Sequence, residues 1–532
     1  MRVCLLTLSF FILPLLTSIA QTFERISDIA SSSSSFPSHF FVFNNRLYFS
    51  ANDGANNPKL YVTDGTPGGT KHVSNLKLTR TSMMYQTANG KYFVWATDGT
   101  NSGLWAIDGT GPEMFLGNLI PRSNIVVLNN KIFLSAVGDA GGSELWCSDG
   151  TVAGTQKVNE INPNGDGCWE EIIVFQNQLY FRGDATGSNG ELWRSDGTAQ
   201  GTVLFKEINN SAAGNPFAFF EFNNHLYFRA CDTQKLNGGY RNVEPWVSDG
   251  TAAGTQILKD LQPGIQGSNK GAFFSYNNKL WFCGSFYGIP PMLYVSDGTA
   301  AGTDSAFSVP NFPAAFTNEN YSSFPFAYHF LQLLDNKLFF AGTDSLMDTE
   351  LWVFDGTDTG THRLKDLCTF HSSDPEALTV FDNKLFFEAL DSTNGRSLWM
   401  SDGTAAGTHL AITGGPFNIL IHTTFQEFNG SLYFAAQFDN AGVELWRYNP
   451  SGTSVDRNTT RQDPALYPNP AYDKLWVEVE GSATVEIHDL SGRILMIRHV
   501  NRKADIDISG LAPGIYLVAI EGQALRKRFI KN

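Results

Sequence analysis

The sequence has few charged residues and few cysteines, and its only long apolar run lies at the N-terminus. Asp, Glu, Lys and Arg make up 17% of the 532 residues, and the formal net charge is −15. An acidic chain of this kind is not expected to bind nucleic acid, because Lys and Arg supply most of the binding to the phosphate backbone. After residue 20 no run is apolar over the roughly 20 residues that a transmembrane helix needs. We therefore predict neither a nucleic-acid partner nor a transmembrane segment.

Six cysteines are too few and too irregularly placed for a disulfide framework. Cys4 lies at the N-terminus, and the other five occupy no common position in the repeats described below: Cys147, Cys168, Cys231, Cys283 and Cys368. We expect buried free thiols, with one bridge between Cys231 and Cys283 as the alternative.

Residues 1–20 have the features of a secretory signal peptide. One basic residue, Arg2, precedes an apolar run from Leu5 to Leu16, and small residues follow up to Ala20. This order predicts cleavage before residue 21 and export of the mature chain. Cys4 precedes the apolar run, whereas a lipoprotein cysteine would follow it, so we predict no lipid anchor.

The body of the chain repeats one segment. Its copy at Glu191 to Thr202 reads Glu-Leu-Trp-Arg-Ser-Asp-Gly-Thr-Ala-Gln-Gly-Thr. The Asp of this segment recurs every 41 to 58 residues, at positions 64, 108, 149, 196, 249, 297, 355 and 402, with Asn449 in the ninth place. Repeats of this period are typical of β-propeller blades.

A hairpin precedes each copy, in which two apolar strands flank a two-residue turn of Asn, Asp or Gly. Eight such turns are recognisable, at residues 44–45, 89–90, 129–130, 223–224, 277–278, 335–336, 382–383 and 429–430. These residues tolerate the positive φ of a tight hairpin turn. Each unit thus predicts four strands: A ends at this turn, B follows it, C is the Glu-Leu-Trp strand, and D follows the second Gly-Thr. We interpret Asp-Gly-Thr itself as a structural turn rather than a catalytic site.

The two ends of the array complement each other. Residues 23–29 resemble a strand D without its blade, and the ninth unit fades after Trp446. The first strand is therefore predicted to complete the last blade, which hides both sheet edges. The predicted fold is all-β, a propeller of about nine four-stranded blades over residues 21–455. An eight-bladed ring with an accessory unit is the alternative.

Residues 464–532 follow a different pattern. Alternating strands separated by Ser-Gly and Pro-Gly turns, as in residues 485–495 and 508–518, predict a small Ig-like β-sandwich. The polar stretch 456–463 is the expected linker.

Two resemblances to known families follow from these motifs. The tandem Glu-Leu-Trp-x-x-Asp-Gly-Thr segments resemble the ELWxxDGT repeat proteins of bacterial cell envelopes, which implies a surface or interaction role. Tyr-Pro-Asn-Pro at 467–470, Asp-Leu-Ser-Gly-Arg at 489–493 and Gly-Ile-Tyr at 514–516 resemble the C-terminal sorting domain of the type IX secretion system. This resemblance implies that residues 464–532 bind the secretion machinery. It also implies that the chain crosses the outer membrane and is extracellular or attached to the cell surface.

One loop has the spacing of a metal site. Asn162, Asn164, Asp166 and Glu170 place oxygen-bearing side chains at the first, third, fifth and ninth positions of a glycine-containing turn. The loop resembles the short calcium loops of integrin-type propellers, although Asn at the first two positions lowers the charge that holds the cation. Calcium is thus a candidate ligand, and a polar connection between blades is the alternative.

The connections between strands fall into two classes. The A–B and C–D turns hardly vary, whereas the B–C and D–A connections differ greatly, and in a propeller these two classes lie on opposite faces. The varied connections carry the candidate ligand-binding residues, most of them aromatic: Tyr240, Arg241, Phe286, Tyr287, Phe312, Phe316 and Tyr321. Such rings stack on sugars or bury a protein partner, and packing over the blade edges is the alternative.

The sequence contains no metalloprotease helix motif, nucleophile elbow or phosphate-binding glycine loop. We expect a secreted, surface-displayed binding or adhesion propeller without catalysis of its own, whose ligand is a glycan or a surface protein. The alternative is a secreted hydrolase or lyase that acts on polysaccharide, because loops distant in sequence can assemble an active site. A pair of facing carboxylates in the central mouth would favour that alternative.

Overall fold

We analysed a computed structural model of the chain. It describes residues 22–30, 33–54, 58–78, 86–138, 141–187, 189–210, 213–231, 243–261, 273–286, 289–308, 331–344, 348–369, 371–393, 395–412, 418–419, 424–450, 465–467, 473–488, 494–511, 514–520 and 526–531. The chain divides into two compact units, Met1–Gly452 and Thr453–Asn532. Within the described ranges, no helix has the length and hydropathy that crossing a bilayer requires.

The first unit consists of nine antiparallel sheets, numbered here as blades 1 to 9 in chain order. Blades 1 to 3 contain β2 (Ser38–Phe43), β3 (Arg46–Ala51), β4 (Lys59–Thr63) and β5 (Lys71–Ser74); β6 (Lys77–Leu78), β7 (Gln86–Ala88), β8 (Lys91–Thr97), β9 (Ser102–Ile107) and β10 (Met114–Gly117); β11 (Ile120–Pro121), β12 (Val126–Leu128), β13 (Lys131–Val137), β14 (Ser143–Ser148) and β15 (Gln156–Asn159). In blades 2 and 3 the A strand is split into two short strands.

Blades 4 to 6 have four strands each: β16 (Cys168–Phe175), β17 (Gln178–Gly183), β18 (Glu191–Ser195) and β19 (Val203–Lys206); β20 (Phe217–Phe222), β21 (His225–Cys231), β22 (Val243–Ser248) and β23 (Gln256–Ile257); β24 (Phe273–Tyr276), β25 (Lys279–Phe286), β26 (Ile289–Ser296) and β27 (Asp304–Ser308).

Blades 7 and 8 repeat this arrangement, and blade 9 again has a split A strand: β28 (Gln332–Leu334), β29 (Lys337–Thr343), β30 (Thr349–Phe354) and β31 (His362–Lys365); β32 (Glu376–Phe381), β33 (Lys384–Asp391), β34 (Gly395–Ser401) and β35 (His409–Leu410); β36 (Asn418–Ile419), β37 (Gln426–Phe428), β38 (Ser431–Gln437) and β39 (Glu444–Asn449).

The first strand of the chain completes the last blade. Strand β1 (Thr22–Arg25) pairs antiparallel with β39, with Thr22 opposite Asn449 and Arg25 opposite Trp446. An ion pair between Glu24 and Arg447 adds to the pairing. The predicted closure and the predicted nine blades are both confirmed, and the eight-bladed alternative is wrong.

Buried apolar clusters join every blade to the next. Of the described residues, one such cluster lies at each of the nine interfaces, and the last brings Phe40 and Phe49 of blade 1 against Tyr433 and Leu445 of blade 9. Consecutive residues of the B and C strands are buried because each sheet packs on both sides. The core of this unit is therefore a closed series of interfaces.

The A–B turns have the predicted backbone. Both residues of the first turn adopt positive φ, 47° at Asn44 and 54° at Asn45. Blade 4 has the same turn at Gln176 and Asn177, with φ of 46° and 58°. Sequence reasoning missed this ninth turn because Gln is not a typical residue for positive φ.

The five cysteines beyond the N-terminal segment are buried and free. The alternative of a bridge between Cys231 and Cys283 is therefore wrong. Burial raises the pKa of the Cys283 thiol to about 12, which keeps it protonated and unreactive.

The second unit contains five strands: β40 (Ala465–Tyr467), β41 (Lys474–His488), β42 (Ile494–Asp507), β43 (Gly514–Ile520) and β44 (Arg526–Lys531). β41 pairs with β40, β42 and β43, and β43 pairs with β44. The strands thus form one continuous small curled sheet rather than two separate sheets, and its core includes Leu475, Val485, Val500 and Phe529.

Candidate binding face and the repeated carboxylates

The two ends of the blades differ in how regular their connections are. All nine A–B turns are two residues long, and together with the C–D turns, such as residues 249–255, they form what we call the turn face. The B–C and D–A connections emerge at the opposite ends of the antiparallel strands, on what we call the connection face. Its B–C connections range from two residues (287–288) to eleven (232–242).

Each Asp-Gly-Thr turn is held by hydrogen bonds within it. In blade 5, Oδ1 of Asp249 accepts bonds from the backbone N–H of Thr251 at 2.8 Å and from its hydroxyl at 2.7 Å. The same pair of bonds forms at Asp64, Asp108, Asp149, Asp196, Asp297, Asp355 and Asp402. The hydroxyl bond from Thr251, with the backbone bond after it, lowers the pKa of Asp249.

The residues around this Asp complete the turn. Oγ of Ser248 accepts the N–H of Gly250 at 3.1 Å and lies 2.7 Å from the hydroxyl of Thr255. A Cβ at Gly254 would lie 2.2 Å from the Asp249 carboxylate, so only glycine fits there. Every residue type of the motif therefore has a role inside the turn.

The same turns also connect neighbouring blades. The side-chain amide of Asn44 in blade 1 donates to the carbonyl of Asp108 in blade 2 at 3.0 Å, and Gln176 in blade 4 donates to Asp249 in blade 5 at 3.2 Å. From the D strand of blade 4, Lys206 donates to the carbonyl of Ala252 in blade 5 at 3.0 Å. Polar groups of the turn face are thus used to hold the ring together.

The Glu that opens the Glu-Leu-Trp segment is a second repeated carboxylate, and it is buried. Glu191 is 1% exposed and accepts the N–H of Ile208 at 2.6 Å and of Gly214 at 2.8 Å. Glu144, Glu244, Glu350 and Glu444 are also at most 1% exposed. Each accepts N–H bonds from the connection that leads into the next A strand. We call these five residues the clamp glutamates.

The clamp glutamates have raised pKa values. Loss of water around the carboxylate raises the pKa of Glu191 to about 7 and that of Glu444 to about 6, against the N–H bonds that lower it. Sequence reasoning missed this role. Its signal is a constant spacing: in four blades the first donor lies 17 positions after the Glu, at Ile161, Ile208, Leu261 and Leu367.

Side chains of the innermost strands also satisfy backbone groups of the next blade. The amide of Asn124 donates to the carbonyl of Ile172 at 2.9 Å and accepts its N–H at 3.0 Å. Glu171 accepts the N–H groups of Ala218 and Phe219 at 2.7 and 2.9 Å. This carboxylate is therefore engaged in holding the ring.

The predicted ligand-binding residues fall where the structure gives little detail. Tyr240, Arg241, Tyr287, Phe312, Phe316 and Tyr321 lie outside the described residues. Phe286 ends β25, where it is paired with Ile289, and its side chain is outside the description. The aromatic surface on the connection face therefore stays a prediction.

Three of the four candidate calcium ligands can be placed. Asn162 is 3% exposed, its Oδ1 accepts the N–H of Asn164 at 3.1 Å, and its amide donates to the carbonyl of Asp166 at 3.3 Å. Oδ1 of Asp166 accepts the N–H of Ser143 at 2.7 Å. Glu170 lies in β16, and its side chain is not described. These bonds give the loop a structural role of its own, and calcium binding stays a prediction.

A wider search for metal ligands adds no further candidate. In the parts of the chain that the structure describes, no group of three or more His, Cys, Asp or Glu residues is arranged to hold a metal ion.

Comparison with solved structures gives distant similarities. Puromycin hydrolase is 12% identical with a TM-score of 0.36, and the match covers 79% of this chain and 60% of that one. A puromycin-hydrolyzing peptidase of Mycobacterium tuberculosis is 12% identical with a TM-score of 0.35, covering 77% and 59%. A quinohemoprotein alcohol dehydrogenase from Pseudomonas putida HK5 is 12% identical with a TM-score of 0.34, covering 84% and 78%. The chain thus spans about 60% of the length of the two hydrolases.

Comparison by sequence identifies the second unit. No curated protein matches the chain. Residues 465–532 match the family described as the secretion system C-terminal sorting domain. This match covers all five strands of the curled sheet. The chain is therefore a protein that ends in a type IX secretion sorting domain and is secreted across the outer membrane.

Proposed function

We propose that the propeller is a surface-displayed binding or adhesion module of the ELWxxDGT repeat type, which recognises a glycan or a surface protein through its connection face. The observation that carries this proposal is the contrast between the two faces. Two-residue turns recur nine times on the turn face, whereas the B–C connections differ from two residues to eleven.

Hydrogen bonding supports this choice of face. On the turn face, the Asp carboxylates, the Thr hydroxyls and several carbonyls bond within their turns or to the neighbouring blade. Groups with these partners are less available to a ligand. The B–C connections have no such common pattern, and their candidate rings at 286–287 and 312–321 suit stacking on sugars or burial in a protein interface.

A polysaccharide-acting enzyme is the competing function. It would need two carboxylates that face each other across a sugar. The raised pKa of Glu191 would suit a general acid, but this side chain is buried and accepts two backbone N–H bonds. Glu171 likewise accepts two backbone N–H bonds. These engagements favour binding over catalysis.

A glycan array probed with the purified propeller tests the proposal. Wild-type protein is expected to bind a restricted set of glycans, and a Phe286→Ala/Tyr287→Ala variant should lose most of that binding at an unchanged melting temperature. One or two stacked rings typically contribute a few kcal/mol to an interface, roughly 2 to 4. Product formation from any bound polysaccharide would instead favour the enzyme.

The matched control lies on the turn face. Asn277→Gly/Asn278→Gly retains the positive φ of the turn of blade 6 and removes two polar side chains. Binding should be unaffected. If the aromatic variant binds normally and this control does not, the ligand binds the turn face and the proposal is wrong.

A further inference from the structure

Strand β42 of the sorting domain leaves one edge unpaired among the described residues. It is 14 residues long and pairs only with β41. A long unpaired edge presents a row of N–H and C=O groups on which another chain can form a further strand. The propeller, in contrast, covers the corresponding edge of blade 9 with β1.

The flat part of this edge lies in its first half. Arg502 has a φ of 60°, and the register shifts between the pairs Glu478–Lys503 and Ser482–Asn501. Such an irregularity bends a strand and ends regular pairing. Residues 494–501 are therefore the section of the edge that can extend the sheet.

Two large apolar side chains are exposed on this section. Leu495 is 37% exposed and Ile497 is 52% exposed. Their spacing places them on the same face of the strand, whereas Met496 and Val500 pack against the core of the unit. Exposed apolar residues beside an open strand edge are a liability unless a partner covers them.

The same section is basic. Arg498, Arg502 and Lys503 are exposed. Among the described residues neither arginine has an ion-pair partner. The nearby acidic groups are engaged, because Asp505 pairs with Lys474 at 2.7 Å and Asp507 accepts two bonds from Ser509. A partner segment that carries acidic side chains would complement this edge.

We propose that the secretion machinery binds the chain at the outer edge of β42, by adding an extended segment with acidic side chains as a further strand. Backbone hydrogen bonds to residues 494–501 supply affinity. Apolar contact with Leu495 and Ile497, and ion pairs with Arg498 and Arg502, supply specificity.

The test is surface display of the full chain in a host that has the type IX machinery, measured as the protease-accessible fraction on intact cells. Arg498→Glu should lower display at least about fivefold, because it places like charges against the incoming strand. Arg498→Lys should keep display within about twofold of wild type, since the charge is retained. The matched control is Lys527→Glu, which reverses an exposed charge on β44 and should leave display unchanged.

Normal display of Arg498→Glu overturns the proposal, and so does an equal loss in Lys527→Glu, which would reflect only the charge of the whole domain. Ile497→Thr is the second variant, since it changes an exposed side chain outside the core and keeps a β-branched residue. It should also lower display, and normal display of this variant contradicts strand addition at this edge. Thermal unfolding of each purified chain verifies that it folds.

Deletion of the whole domain and the association state of the chain distinguish this edge from two competing causes of a display defect. Deletion of residues 465–532 should abolish display, and normal display of that chain would refute the sorting assignment itself rather than the edge. Sedimentation of the wild-type chain should show a monomer. A dimer that Ile497→Thr dissociates would overturn the proposal, because a second copy rather than an acidic segment would then cover β42.

Discussion

The two faces of the propeller each carry a repeated carboxylate, and these carboxylates are used in opposite ways. The Asp residues of the turn face lie near solvent, where donors in the turn stabilise the anion and lower the pKa. The clamp glutamates are buried beneath the connections, where loss of water raises the pKa. The difference shows that one chemical group can fix two kinds of connection, and that burial decides how the bond responds to pH.

Removal of residues 21–30 should have the largest effect. It deletes β1 and the N–H of Ile29, which donates to the clamp residue Glu444. The edge of β39 is then unpaired, so we expect aggregation or a fall in melting temperature of more than about 10 °C. Calorimetry and size-exclusion chromatography measure this. Removal of residues 464–532 is the control and should leave the melting of the propeller unchanged.

Loss of one clamp glutamate should come next. Glu191→Ala leaves the N–H groups of Ile208 and Gly214 without their acceptor. A buried unsatisfied donor is costly, so we expect a loss of about 2 to 4 kcal/mol in urea unfolding at pH 5. Glu191→Gln should lose less because an amide oxygen still accepts. Glu207→Ala, at an exposed site in the same blade, should stay within about 0.5 kcal/mol of wild type; an equal loss there would contradict the clamp.

The pH dependence of the clamp follows from the raised pKa. The folded value for Glu191, about 7, lies above the unfolded value of 4.5, so the folded state binds the proton more tightly. Wild type should therefore lose stability relative to Glu191→Gln as pH rises from about 4.5 through about 7, on the order of 1 to 3 kcal/mol. Urea unfolding of both proteins at pH 5 and pH 8 measures the difference. A constant difference would show that Glu191 does not titrate in this range.

Asp249→Ala should have the smallest effect. It removes two hydrogen bonds in a solvent-exposed turn, and we expect a loss of about 1 to 2 kcal/mol with ligand binding intact. Because the folded pKa is lowered, this contribution is present above the unfolded value of 3.8 and is lost as pH falls below it. Asp358→Ala, at an exposed position in the C–D turn of blade 7, serves as the control. Equal losses in the two variants would contradict the structural role of Asp249.

Much of the fold is predictable because it depends on local chemistry. Asn44 and Asn45 mark a hairpin turn by their tolerance of positive φ, and the unpaired strand at residues 23–29 announces the closure of the ring. The role of Glu191 was not predictable in the same way. A Glu at the start of a strand looks identical whether it points to water or to the interior, and its burial depends on a connection that folds over it 17 positions later.

The candidate site was less predictable than the fold. Phe286 and Tyr287 can be recognised as a pair of adjacent rings in a varied connection, but what they contact depends on how neighbouring connections of other blades pack. Asn162 and Asp166 illustrate the same point. Their spacing suggests cation ligands, while in the structure their oxygens accept backbone N–H bonds, an alternative that spacing alone does not distinguish.

Closure of the ring by β1 also has a kinetic consequence. Glu24 and Arg447, which pair across the closing strands, are 423 positions apart. Contacts so distant in sequence form slowly, although the entropy of closing a loop grows only with the logarithm of its length. Strand β1 has four residues and one neighbouring strand, so it should be the first part of the ring to open and the last to form. Amide hydrogen exchange at residues 22–25 should therefore be faster than in the B strands, and it would report how often the ring opens.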